Sequence, residues 1–315
     1  MKLQIDFSFD SPLKFKSSDQ FFLLGSCFSE SIAGFLREHL FHFVSNPFGI
    51  LFDPVSIARA LEIVIDNENL KKDILIVDNG FWHSPYHHGT FSGTDPNQVL
   101  QRINSEIEFA RLALKKTELL IVTFGTAFVW KQVTSGKIFA NCHKIPGNQF
   151  KKEFLSAEEI LSVWKKIILK LREFNPGLKI VFSVSPVRYL RDGLIENNKS
   201  KAALLSSVHK LCEEEKTIYF PSYELVIDVL RDYRFYKEDL VHPNKQSVNY
   251  VWGIFKNSFF DKQSLTQLSE IASYNEFKSH RPIRNIDQHK EKVIGKKADL
   301  KLKYPQLNWS LDENN

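Results

Sequence analysis

Three nearly continuous apolar runs stand out along the chain, at Phe21–Gly25, within Glu118–Trp130 up to Gly125, and at Lys179–Val184. Such runs predict strands covered by helices on both faces. Between them the apolar period changes to three and four. Ile32, Phe35, Leu36 and Leu40 share a face after the first run, as do Ile57, Ala60, Leu61 and Val64 after Asp53-Pro54. Leu100, Ile103, Ile107, Ala110 and Leu114 precede the second run, and Ile160, Trp164, Ile167, Ile168 and Leu171 precede the third. These spacings predict amphipathic helices. Ser29 is the expected N-cap of the first, Pro54 opens the second, and Ser156 with Glu159 makes a capping box. Weaker signals predict an edge strand in Met1–Gln20, short strands from Phe43, at Ile74–Asp78 and at Thr217–Pro221, and a hairpin around Ser135-Gly136. Asn198–Cys212, Glu224–Asp232 and Val248–Phe260 read as helices. Strands alternating with helices place the chain in the α/β class with a mostly parallel sheet. After residue 261 the pattern turns polar: a helix over Leu265–Phe277, then a Lys-rich amphipathic stretch to Leu302. The expected division is a main domain over 1–261 and a helical, basic C-terminal extension over 262–315.

Composition narrows the class. At 315 residues, with 43% hydrophobic and 25% charged, the chain can bury a large core without staples. The net charge is +5, with much of the excess between Lys278 and Lys303. It is too diffuse for a nucleic-acid surface, and no basic stripe carries interleaved aromatics. Three cysteines, Cys27, Cys142 and Cys212, form no pair spacing and favour a reducing compartment. The start, MKLQIDFSFD, lacks the apolar run of a signal peptide, and no segment approaches the roughly 20 apolar residues of a membrane helix. The cytoplasm is the expected location.

The candidate chemistry begins in FFLLGSCFSE, Phe21–Glu30. A buried strand, a sharp turn at Gly25 and a helix start suit a nucleophile, because the first amides of a helix are unpaired and favour an oxyanion. A thiol at a helix N-terminus also has its pKa lowered. The plainer reading is a strand end with a structural Cys. Far along the chain, Asp239 precedes His242 by three residues, a spacing that lets the carboxylate orient the imidazole. His83, His87 and His88 sit close together and suit a metal, a pocket lining or plain hydrogen bonding. Arg188 follows the third strong strand, where open α/β sheets bind ligands; it can hold an anion bidentately or pair with Asp192. Cys142 is a second thiol candidate, and Cys212 reads as core.

GSCF at Gly25–Phe28 and DLVHPN at Asp239–Asn244, together with SPVR at Ser185–Arg188 and NCHK at Asn141–Lys144, resemble the GSCFA family, which belongs with the SGNH (GDSL-like) hydrolases. The resemblance implies a three-layer, flavodoxin-like fold with a five-stranded sheet. Gly25, Ser26 and Cys27 match the G-D-S of those enzymes, so Cys27 stands where the nucleophilic Ser does; a one-residue shift of the turn gives the role to Ser26. Gly49 matches the Gly whose N–H faces the oxyanion. The G-x-N-D block is replaced by Gly125-Thr126-Ala127-Phe128, which lacks the Asn. Asn141 is the candidate replacement donor, and His143 a substrate-binding residue. The implied function is an esterase or acyltransferase working through a covalent acyl-enzyme. Cys27 or Ser26 attacks, His242 moves the proton, and Asp239 orients His242. The substrate would be a small-molecule acyl ester or thioester, with no cofactor, metal, nucleic acid or membrane, and the extension offers an oligomer contact. Two alternatives remain. One is a non-catalytic protein binding a carbohydrate or other small molecule through Arg188 and the His83–His88 loop. The other is a metal-dependent hydrolase using those histidines.

Overall fold

A computed structural model describes residues 5–143 and 145–313. Five parallel strands form the central sheet: β1 (Gln20–Gly25), β2 (His42–Ser45), β3 (Leu119–Phe124), β4 (Lys179–Val184) and β5 (Ile218–Tyr219). Their spatial order is β2-β1-β3-β4-β5. This is the flavodoxin-like order, in which the crevice at the carboxyl ends of β1 and β3 is the usual ligand position.

Eight longer helices accompany the sheet: α1 (Cys27–Glu38), α2 (Pro54–Asp66), α3 (Pro96–Leu114), α4 (Ala157–Phe174), α5 (Gly193–Glu215), α6 (Lys245–Phe259), α7 (Lys262–Ser279) and α8 (Ile286–Lys303). Side chains alternate across a strand, and here each face is covered. Phe22 and Leu24 of β1 join the α2–α5 residues in one core; Phe21 and Leu23 join those of α1 and α6 in the other. Leu119 and Ile121 face the second core, Leu120, Val122 and Phe124 the first. This two-sided cover explains why the runs are continuous rather than alternating.

Several expectations are corrected. Ser26, not Ser29, caps α1, because the helix begins at Cys27 and the Phe28 N–H donates to Ser26 Oγ (3.3 Å). Ile76–Asp78 pairs with Phe81–His83 as an antiparallel hairpin outside the main sheet. Beyond Gly125, Phe128–Gln132 is the centre of a small antiparallel sheet with Ile138–Phe139 and Phe150–Phe154. Leu225–Val229 is π-helical. The expected N-terminal strand is reduced, among the described residues, to a bridge between Phe15 and Phe260; Met1–Gln4 and Lys144 lie outside them.

The C-terminal segment packs back on the first helical layer. Ile271, Tyr304, Leu307 and Trp309 enclose Leu40, and the Asn308 N–H donates to the Leu40 carbonyl (2.8 Å). Leu268 reaches the α1/α6 core. Helix α8 buries no residue fully. Among the described residues no helix is long and apolar enough to cross a membrane.

One buried carboxylate yields a stability prediction. Asp53 caps α2, accepting the Ser56 N–H (2.8 Å), yet is only 5% exposed. Burial pushes its pKa up to about 6. The folded value lies above the unfolded one, so this group's favourable contribution is present below about pH 4 and is lost as pH rises through about 6. Asp53→Asn keeps an equally good cap. It is expected to raise the thermal midpoint at pH 8, by about 1–3 kcal/mol of stability, and to change little at pH 4. An equal effect at both pH values would show that the buried charge is not the cause.

Candidate active site

The turn after β1 is set by Gly25. Its φ is +130°, and a Cβ there would lie 2.1 Å from the Thr123 carbonyl oxygen of β3. That oxygen accepts the Ser26 N–H (3.2 Å), and Asn46 Oδ1 accepts the Gly25 N–H (2.9 Å). Asn46 in turn donates to Glu30 Oε1, as does Ser45 Oγ (2.9 Å). The chain is thus fixed from both neighbouring strands as it enters α1.

Ser26 and Cys27 leave this turn differently. Ser26 is buried and its hydroxyl is occupied as the helix cap; Cys27, at the first helical position, is half-buried. Burial pushes the Cys27 thiol up. Its own amide and Lys237 lower it by less, while Glu30 adds to the rise. The net direction is opposite to that expected from the helix terminus alone, because desolvation outweighs the oriented amides.

Asp239 and His242 form a closed local unit. Asp239 Oδ1 accepts the N–H groups of Val241 (2.9 Å) and His242 (3.0 Å), and Oδ2 bonds His242 Nδ1 (2.8 Å). The backbone donors, with the imidazole, hold the Asp239 carboxyl down to about 2. Nδ1 is therefore the protonated nitrogen, and Nε2 is left as the base. The loop reverses at Leu240, with φ +56°. Lys237 donates its N–H to the His242 carbonyl (2.8 Å) and also acts electrostatically on Cys27. This links the loop after β5 to the turn after β1.

Arg188 braces that loop. Its N–H donates to the Val241 carbonyl (3.3 Å) and its Nη1 to that of Leu240 (3.4 Å). Its guanidinium lies 4.3 Å from the ring centre of Tyr236 and 5.1 Å from that of Tyr233. The expected partner Asp192 instead pairs with Lys152. The stacked rings support the guanidinium, which also lines a cleft of about 310 Å³ with Arg231, Tyr233 and Tyr236.

The other sequence candidates lie on other loops. The Gly49 N–H donates to the Asn46 carbonyl (2.7 Å), closing a turn, so it is not free for an oxyanion. A Cβ at Gly49 would lie 2.3 Å from His88 Cβ, which accounts for the glycine. His143 is buried; its Nε2–H donates to the Ser84 carbonyl (2.8 Å) and its ring stacks on His83 at 4.7 Å. Asn141 Oδ1 accepts the His143 N–H (2.8 Å). Asn141 and Cys142 line a cleft of about 470 Å³ with Trp130, Phe150 and Tyr189, beside Thr126. Ser26, Cys27 and His242 lie outside that lining. Burial pushes the Cys142 thiol up.

The histidines do not assemble a metal site. His83 Nδ1 bonds Ser92 Oγ (2.7 Å), His87 Nδ1 bonds Ser84 Oγ (2.7 Å), and the His87 ring stacks on Phe48 at 4.3 Å. Among the described residues no group of three or more His, Cys, Asp or Glu side chains is placed to hold a metal ion. Burial pushes His87 down to about 3 and His143 to about 4. Both folded values lie below the unfolded one. The unfolded chain therefore takes up protons first, and stability falls as pH drops from about 6.5 towards 4, by about 1.4 kcal/mol per unit for each group. Thermal midpoints measured across that range should fall steeply in the wild type and less steeply in His87→Gln. Parallel slopes would remove the histidines as the cause.

A model of the GSCFA family matches residues 20–255, three quarters of the chain. The chain belongs to the GSCFA family. No curated protein matches this GSCFA chain in sequence. Among solved structures it is similar to an acetyl xylan esterase, Est2A, from the rumen bacterium Butyrivibrio proteoclasticus. The two share 13% identity and a TM-score of 0.37 over 78% of this chain, which spans 64% of the esterase chain.

Proposed function

We propose that this GSCFA protein is an esterase or acyltransferase of the SGNH type, acting through an S-acyl (thioester) enzyme at Cys27. The observation that carries the reading is the Asp239–His242 unit. A carboxylate pinned by two backbone amides fixes one imidazole tautomer, beside a loop residue that acts electrostatically on the helix-start thiol.

In this mechanism His242 Nε2 takes the Cys27 proton as the sulfur attacks the acyl carbonyl. The tetrahedral oxyanion meets the Cys27 N–H at the start of α1, since the next two amides bond Ser26. As the C–O or C–S bond breaks, His242 returns the proton to the leaving alcohol or thiol. Water or an acceptor then attacks the thioester carbonyl with His242 as base again; the bond from the acyl carbon to Cys27 Sγ breaks, and His242 returns the proton to the thiol. The substrate is a small-molecule ester or thioester. Because burial holds the thiol protonated at rest, His242 must act in concert with attack.

The test is hydrolysis of short-chain p-nitrophenyl esters and acyl thioesters, with iodoacetamide labelling mapped by mass spectrometry. Activity should disappear in Cys27→Ala and persist in Ser26→Ala, whose lost cap costs about 1 kcal/mol of stability. Cys27 should label faster than Cys212.

A second reading is favoured by the raised Cys27 thiol and the occupied Gly49 N–H. It is a non-catalytic small-molecule or carbohydrate-binding protein on the same scaffold. It predicts no turnover above background, with Cys27 labelling no faster than Cys212.

A further inference from the structure

Lys201 lies on α5 and is only 2% exposed. Among the described residues no carboxylate pairs with it. Its Nζ donates to two main-chain carbonyls, Gly125 (2.7 Å) and Ser185 (2.7 Å). These residues directly follow β3 and β4. A buried amine of this kind is an expensive way to stabilise a core, since an apolar residue of similar volume usually serves as well or better. Its position suggests a different use.

Lys201 is one of three polar groups on a single face of α5, at the i, i+3, i+4 spacing that aligns side chains. Asn197 Oδ1 accepts the Tyr189 N–H (2.9 Å), and Ser200 Oγ accepts the Ala127 N–H (2.7 Å). All three bind backbone that has just left β3 or β4. From Ser185 the chain runs three residues to Arg188, which bonds the carbonyls of Leu240 and Val241 next to His242.

We propose that Lys201 is a positioning residue for the acyl-transfer site: it ties the carboxyl ends of β3 and β4 together and so fixes the Ser185–Arg188 segment that holds the Asp239–His242 loop. The role in chemistry rests on the function proposed above; the mechanical link does not. Burial pushes the Lys201 amine down to about 7, and both its protonated and its neutral forms can donate to the two carbonyls.

The test is Lys201→Met, which keeps the length and apolar stem but removes the donors. Hydrogen exchange should accelerate at the Ser185 and Arg188 amides by about tenfold, the scale of one lost buried hydrogen bond. Amides of β1 and β2 should stay within about twofold of wild type. Ester turnover should fall in kcat with KM unchanged, and Lys201→Gln, which retains an NH₂, should fall between the two. Uniform acceleration over the whole chain would mean a merely structural role and overturn the proposal. So would local acceleration with unaltered kcat. If Lys201→Met does not fold, Lys201→Gln is read in its place; unchanged exchange at the Ser185 and Arg188 amides in that variant would equally overturn it. If the wild type hydrolyses nothing, the exchange data still decide the mechanical link, and only the acyl-transfer reading fails.

Discussion

His242→Ala should lose about 10²–10⁴-fold in kcat/KM on any ester or thioester the wild type hydrolyses, with almost no change in thermal midpoint. The two halves of this expectation have separate causes. The imidazole is 39% exposed, and among the described residues its ring bonds only Asp239, so removing it opens no cavity and orphans no buried group. Exposed substitutions of that kind usually stay within about 0.5 kcal/mol. The catalytic loss follows from the thiol's environment. Burial holds Cys27 protonated, so without a base nothing removes its proton as attack begins. Asp239→Asn separates orientation from presence. The amide oxygen can still accept the Val241 and His242 N–H groups, but its NH₂ faces Nδ1 and favours the other tautomer. The loss should approach that of His242→Ala while the loop stays folded. Because Asp239 is held near 2, it stays ionised across the working range and keeps orienting the imidazole. If both variants kept more than half the wild-type rate, His242 would not be the base.

The second large effect is on folding. Gly25→Ala should prevent folding or cost roughly 3–6 kcal/mol, a large share of the 5–15 kcal/mol that holds a typical domain together. The added Cβ would meet the Thr123 carbonyl at 2.1 Å and its carbon at 2.9 Å, both rigid backbone of the adjacent central strand. The φ of +130° is itself strained for an L-residue. Relief requires moving β1 away from β3, breaking the Ser26 N–H bond to Thr123 and displacing Cys27. Gly34→Ala is the control. Gly34 lies within α1, a Cβ added there would meet nothing within 4 Å, and alanine should be neutral or add about 0.5–1 kcal/mol. Circular dichroism and thermal melts decide the matter; a soluble Gly25→Ala protein melting within a few degrees of wild type would contradict the close approach.

By itself the sequence determined the α/β class, the three central strands and the helix starts at Pro54 and after Ser156. Each depends on local physics: apolar runs for doubly covered strands, i, i+3, i+4 stripes for helices, and Pro54 and the Ser156–Glu159 box for helix starts. It also marked Gly25, Cys27, Asp239 and His242, since a turn, a helix start and a D-x-x-H spacing are short-range features. The Asp239–His242 hydrogen bond follows from three residues of chain. What only the tertiary structure decided depends on neighbours distant in sequence. Whether Ser26 or Cys27 is accessible follows from the Thr123 and Asn46 contacts that place α1 one turn position earlier than the Ser29 cap implied. Gly49 and His143 resembled site residues, but the Gly49 N–H is taken up by Asn46 and the His143 Nε2–H by Ser84. Arg188 carries a guanidinium whose ring partners, Tyr233 and Tyr236, come from a loop more than forty residues away. Lys201 gave no signal at all, because a lysine in an amphipathic helix looks solvated until the fold buries it beneath two strand ends. Periodicity records which face of an element is covered. It does not record which polar groups the covering chain brings, and those assign the hydrogen bonds on which the proposed chemistry depends.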